Sequence, residues 1–147
     1  MAEKLKVQIV DPSITLRRDL EEALAREGDI RVLPGVGSGA RVLETLAVTP
    51  PDVVVLDLEL PESLDLLADL QQFNVEHPDL PDVGTILIAR REQREADVAI
   101  QALEAGAFDF VAKPGGATRE QVVAALHRQL VVKLRYFASK RIFSSMP

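Results

Sequence analysis

Three charged residues each close a largely apolar run. Asp11 follows Lys6–Val10, Asp57 follows Val53–Leu56 and Lys113 follows Phe108–Ala112. Short runs of this kind read as buried strands, so each charge is expected at the carboxyl end of a strand. If the strands are parallel and adjacent, two carboxylates and an ammonium meet at one sheet edge. Charged groups placed there must be solvated, paired or bound to an ion. The trio is therefore a candidate ion site, which core packing does not explain. Simpler roles exist for two members: Asp11 as a cap for the next helix, and Lys113 as partner to a carboxylate.

The elements that must position these residues alternate along the chain. Leu16, Leu20 and Leu24 recur every four residues and share one helix face. Ile30–Val36 reads as a second strand, and Val42, Leu43 and Leu46 as a short second helix. Val53–Leu56 is the central strand, Leu64–Phe73 a helix, Thr85–Ile88 the fourth strand, and Ala96–Ala105 a helix stopped by Gly106. The spacing Thr118-x-x-Gln121 is a capping box that opens a last helix, with Val122, Leu126, Leu130 and Leu134 on its apolar face. That helix is expected to run to about Phe137. Strands alternating with helices predict a flavodoxin-like (βα)5 three-layer sandwich with a parallel sheet in the order 2-1-3-4-5. In that order strands one and three are neighbours, and Asp11 and Asp57 project into one crevice.

Composition bounds the function. A chain of 147 residues, 47% hydrophobic and 27% charged, is sized for one globular domain. It has no cysteine, hence no disulfide and no thiolate metal site. No apolar run is long enough to span a bilayer, and no signal peptide is visible, so a cytoplasmic location and no membrane partner are expected. The net charge of −6 argues against nucleic-acid binding by this domain. Basic residues gather late in the chain, at Arg128, Lys133, Arg135, Lys140 and Arg141. They read as a solvated helix face followed by a basic tail.

The segments Val10-Asp11-Pro12-Ser13, Val55-Leu56-Asp57-Leu58-Glu59-Leu60-Pro61 and Gly106-Ala107-Phe108-Asp109-Phe110-Val111-Ala112-Lys113-Pro114 resemble response-regulator receiver domains in order and spacing. The stretch from Gly106, with Gly115-Gly116 after it, is most similar to the receiver of chemotaxis methylesterases. The resemblance covers about residues 5–130. It divides the chain into a receiver over residues 1–130 and, over 131–147, an extension of the last helix with a basic tail, a linker to an output domain. It also implies roles. Asp57 is the phosphoacceptor, served by a histidine kinase or another signalling protein. Magnesium neutralises the phosphoryl oxygens, with Asp11, Asp57 and the backbone carbonyl of Glu59 as its ligands. Lys113 pairs with the phosphorylated aspartate, and its bond to Pro114 is cis. The domain itself is not an enzyme, and a methylesterase output domain is expected to follow in a longer protein.

Two departures from the family pattern bear on mechanism. Pro12 stands where receivers carry a second acidic metal ligand, so magnesium binding is expected to be weak. Ala89, followed by Arg90, stands where a Thr or Ser hydroxyl contacts the phosphoryl group. Phe110 occupies the switch-aromatic position and, lacking a hydroxyl, is expected to sit inward. Ser63-Leu64-Asp65 also replaces the usual Met-Asp-Gly at the third helix. Two readings stay open: a phosphoacceptor with a weakened metal site, and a phosphorylation-independent pseudo-receiver that binds protein partners. Other motifs carry less. Gly35-Val36-Gly37-Ser38-Gly39-Ala40 matches a dinucleotide fingerprint but follows the second strand instead of the first, and reads as turn chemistry. Asp57-x-Glu59 matches aspartate-nucleophile phosphatases, which begin with that strand. His77 and His127 fall on separate helices and read as surface histidines.

Overall fold

The computed structural model describes residues 3–90, 92 and 97–145. Among the described residues there are five strands: β1 (Leu5–Val10), β2 (Ile30–Val32), β3 (Val53–Asp57), β4 (Gly84–Arg90) and β5 (Asp109–Lys113). They form one parallel sheet in the order β2-β1-β3-β4-β5, as expected. The helices with both ends among the described residues are α1 (Ile14–Ala25), α2 (Gly39–Leu46), α3 (Ser63–Glu76), α4 (Asp97–Glu104) and α5 (Arg119–Ser145). Helices α1 and α5 cover one face of the sheet, where Leu20, Leu24, Leu126, Leu130 and Leu134 pack on Ile9, Val55 and Ile86. Helices α2, α3 and α4 cover the other, where Val42, Leu66, Leu70 and Ala102 pack on Val54, Leu56 and Leu87. Alternate residues of β3 thus serve opposite layers, and all five are buried, which is why this strand shows an unbroken apolar run.

Several boundaries differ from expectation for identifiable reasons. The second strand ends at Val32 instead of Val36. Pro34 has no N–H to give the ladder, and the chain rejoins β1 only through the isolated bridge between Val36 and Val10. Helix α3 runs on to Glu76, and His77 closes it by donating its backbone N–H to the Phe73 carbonyl while its ring stacks on Phe73. The predicted fourth helix begins at Ala96, which lies outside the described residues. Its stop is confirmed: Gly106 adopts φ +110, and a Cβ there would lie 2.8 Å from the Gln71 amide carbon. The capping box forms, with Gln121 N–H donating to Thr118 Oγ1 at 3.2 Å and Thr118 N–H to Gln121 Oε1 at 2.9 Å.

The largest departure is at the end of α5, which reaches Ser145 and stays on the body of the domain well past Leu130. Leu134 is fully buried. The Phe137 ring lies on Gly84, at the start of β4, and meets Phe108 edge to face at 5.1 Å. Arg141 donates to Asp52 Oδ1 at 2.5 Å and to the Asp82 carbonyl at 2.7 Å. Three of the basic residues expected to form a solvated face and tail, Lys133, Arg135 and Arg141, are instead paired within the molecule, while Arg128 is exposed as expected. Lys133 meets Asp109 at 2.7 Å, and Arg135 meets Glu27 and Asp29, each at 2.9 Å. Arg135 holds the Asp29 carboxyl below its ordinary range, mainly by donating a hydrogen bond to it. No helix among the described residues is long and apolar enough to cross a membrane.

Candidate functional site

Sheet order brings the candidate residues to one edge. Val10 pairs with Leu56 across β1 and β3, so Asp11 and Asp57, the next residues on each, stand side by side. Both are 1% exposed. Lys113 is the last residue of β5 and reaches past β4 to place Nζ 2.7 Å from Asp57 Oδ2. The strand between them presents Ala89 and Ile88, both fully buried. Asp57 Oδ1 accepts the Glu59 backbone N–H at 2.9 Å. Its Oδ2 faces the ammonium as a close contact of charges and not as an aligned hydrogen bond. The three residues singled out at strand ends thus share one crevice.

Asp11 Oδ1 accepts the Ser13 backbone N–H at 2.8 Å, and Ser13 in turn caps α1 through its hydroxyl, which accepts from Leu16 N–H. Asp11 therefore helps shape the helix entry, but Ser13 is the cap. Asp11 Oδ2 is buried with no donor among the described residues. Burial first, then the adjacent Asp57 carboxyl, which favours the protonated form of Asp11 as an acceptor for its proton and through its own charge, push the Asp11 pKa up to about 7. The Ser13 N–H and the Lys113 charge act in the opposite direction. Two buried carboxylates side by side resist double ionisation, and one retained proton relieves the repulsion.

Glu59 extends the charge chain outward. Its Oε2 lies 3.7 Å from Lys113 Nζ, and its Oε1 lies 2.9 Å from Arg90 Nε. Ala89 pairs in register with Ala112, and Arg90 with Lys113. Phe110 is half-buried and packs against the core cluster between the sheet and helices α2, α3 and α4. The Lys113–Pro114 bond, expected to be cis, is trans, since no cis peptide occurs among the described residues. The isomers of an X–Pro bond differ by only about 0.5–1 kcal/mol, so sequence alone does not choose between them. Ser63, at the departed helix entry, is buried at the first position of α3.

One contributor was missed. Arg17, on α1, donates from Nη1 to the Asp11 carbonyl at 2.7 Å and so braces the strand end. A Cβ at Gly35 would lie 2.9 Å from Arg17 Cδ, and one at Gly37 would lie 3.2 Å from Arg17 Nη1. Both glycines have ordinary negative φ, so their role is to admit this side chain and not to make a special turn. The paired glycines were the available signal, read as turn chemistry. The two histidines are structural: His127 meets Glu27 at 3.0 Å, and His77 Nδ1 lies 2.9 Å from the Phe73 carbonyl oxygen.

The residues fit a divalent cation in kind but are few. The unpartnered Asp11 Oδ2, the Asp57 carboxylate and the Glu59 carbonyl are hard oxygen donors, which magnesium prefers. No group of three acidic, histidine or cysteine side chains suited to a metal occurs among the described residues, and Pro12 is exposed and offers no carboxylate.

The response regulator receiver domain family matches residues 7–127. The chain belongs to that family. As a receiver domain it acts in two-component signal transduction, in which receivers generally interact with histidine kinases and output domains and bind magnesium at the phosphorylation site. Among its relatives, a protein-glutamate methylesterase/protein-glutamine glutaminase from Nitrobacter winogradskyi is 34% identical over 140 residues, covering 95% of this chain and 32% of that protein. One of the same name from Pyrococcus horikoshii is 30% identical over 149 residues, covering 97% of this chain and 39% of that protein. The chain thus spans about a third of the length of the curated relatives it matches. The fold is also that of solved receivers. The response regulator domain of Thermotoga maritima CheB superimposes with a TM-score of 0.73 at 24% identity, over 91% of this chain and 96% of that one. The receiver domain of AraT from Geobacillus stearothermophilus gives 0.66 at 22%, over 92% and 96%.

Proposed function

We propose that Asp57 is the phosphoacceptor of this receiver and that a histidine kinase is its phosphodonor. The observation that carries the reading is the buried Asp57 carboxylate at the end of the central strand, with the Lys113 ammonium 2.7 Å from one oxygen and the Glu59 N–H 2.9 Å from the other. In the transfer an Asp57 oxygen attacks phosphorus, the bond from phosphorus to the donor breaks, and the leaving group takes the electron pair. Lys113 balances the charge gathered on the phosphoryl oxygens. The Glu59 N–H holds the nucleophile in place, and Asp11 stands beside it. A magnesium ion, when bound by Asp11, Asp57 and the Glu59 carbonyl, neutralises phosphoryl charge. With Pro12 beside Asp11, that ion is held weakly.

The setting of the domain is part of the same reading. It works in the cytoplasm, and residues 131–147 lead toward an output domain. Methylesterase is the output that the relatives' names suggest. Incubation with acetyl phosphate and magnesium tests the core of the proposal. Intact-mass analysis should show one added phosphoryl group on the native chain and none on Asp57→Asn. A native chain that never gains this mass, even at high magnesium, would mark a phosphorylation-independent interaction module instead.

A further inference from the structure

The crevice contains a second cation beside Lys113. Arg90 ends β4 directly opposite Lys113 in the β4–β5 register. Its Nε is 2.9 Å from Glu59 Oε1, Glu59 Oε2 is 3.7 Å from Lys113 Nζ, and Lys113 Nζ is 2.7 Å from Asp57 Oδ2. A continuous line of alternating charges therefore runs from Asp57 to Arg90. The residue just before Arg90 is Ala89, fully buried and without a hydroxyl to offer an anion. We propose that Arg90 takes the phosphoryl oxygens of phosphorylated Asp57, leaving Glu59 for them, and so supplies the donors that Ala89 lacks. This rests on the reading of Asp57 as phosphoacceptor.

Three physical arguments support the exchange. The Arg90–Glu59 pair is held loosely, since the two side chains are 53% and 41% exposed and water screens them. A phosphoryl group brings more negative charge than the Glu59 carboxylate and presents three acceptor oxygens to a planar fork of donors. That charge arrives next to Glu59 and repels it, which weakens the resting pair as the new one forms. Glu59 is then a resting counter-ion that keeps Arg90 at the mouth of the crevice until the anion appears.

Beryllofluoride in excess magnesium serves as the probe, with affinity read by chemical-shift titration and phosphoryl uptake from acetyl phosphate read by intact mass. Arg90→Ala should weaken beryllofluoride binding at least tenfold, and Arg90→Lys should recover part of the loss. Glu59→Gln should tighten binding in the native background and have a clearly smaller effect in the Arg90→Ala background, because only the first has an arginine to release. Arg90 is exposed, so both variants should fold, and matching melting temperatures would verify this. If Arg90→Ala binds within twofold of the native chain, or if the Glu59→Gln gain is equal in both backgrounds, Arg90 has no such role while Asp57 keeps its own. A native chain that neither binds beryllofluoride nor gains phosphoryl mass overturns the phosphoacceptor reading, and the role of Arg90 with it.

Discussion

At Asp11 a buried carboxyl is kept above its usual titration range, and the consequence is a pH-dependent stability. Its pKa rises from 3.8 to about 7. Between those values the folded chain binds a proton that the unfolded chain has released, so stability is lost as pH rises through the window and the full penalty stands above pH 7. Asp11→Asn removes the charge and keeps the shape. The variant should match the native protein near pH 4 and exceed it by about 1–3 kcal/mol at pH 8, since each tenfold change in proton affinity is worth about 1.4 kcal/mol. Urea unfolding at both pH values, in chelator, checks this, and a difference independent of pH refutes it. Pro12 gives a second residue-scale test. Pro12→Asp restores a carboxylate beside Asp11, and calorimetry should show magnesium binding at least tenfold tighter than in the native chain. Unchanged binding would mean that the existing oxygens already suffice.

Among the elements, α5 carries the least expected behaviour. Its last turns are held by Phe137 on Gly84 and by Arg141 between Asp52 and the Asp82 carbonyl. Two clefts of about 610 and 540 Å³ flank Arg141 at the amino-terminal edge of the sheet, away from the crevice. A Cβ on Gly84 would collide with Cε2 and Cζ of the Phe137 ring. Gly84 has no positive φ, so Gly84→Ala acts by crowding alone and should cost about 1–3 kcal/mol, as overpacking does. In a Phe137→Ala background the same substitution should be nearly neutral, because the ring it strikes is gone. A double-mutant cycle by urea unfolding decides the matter, and equal costs in both backgrounds would place the strain elsewhere.

The whole molecule is one parallel sheet with the candidate site at its carboxyl edge and helices on both faces. Coupling edge to flank needs an element with different contacts in two states. Ala89 offers no hydroxyl to pull, and the half-buried Phe110 already packs against the core cluster that contains Leu87 and Ala89. Arg90 is exposed at the end of β4, and an anion held there is expected to leave Phe110 in place. Beryllofluoride should therefore shift resonances near Asp57, Glu59, Arg90 and Lys113 while leaving α4 and the Phe110 ring little changed. In Ala89→Thr combined with Pro12→Asp the shifts should spread to α4. Broad shifts across α4 in the native chain would show that the switch survives without the hydroxyl.

Much of the architecture was legible in the chain because its signals are local. Apolar runs at β1, β3 and β5 mark buried parallel strands, four-residue leucine spacing marks α1, and Thr118 with Gln121 marks the start of α5. The charges ending three of those strands then located the crevice, since parallel strands put their carboxyl ends at one edge. What sequence did not disclose were matters of three-dimensional proximity. Nothing in the spacing of Arg17 and Gly35 says that one side chain fills the space the other leaves, nor that Phe137 rests on Gly84. Lys133, Arg135 and Arg141 read as solvated in the sequence because their acids, Glu27, Asp29, Asp52 and Asp109, lie elsewhere in the chain. The proton that Asp11 retains, and the placing of Arg90 beside Glu59, likewise depend on burial and distance, which exist only once the sheet has closed.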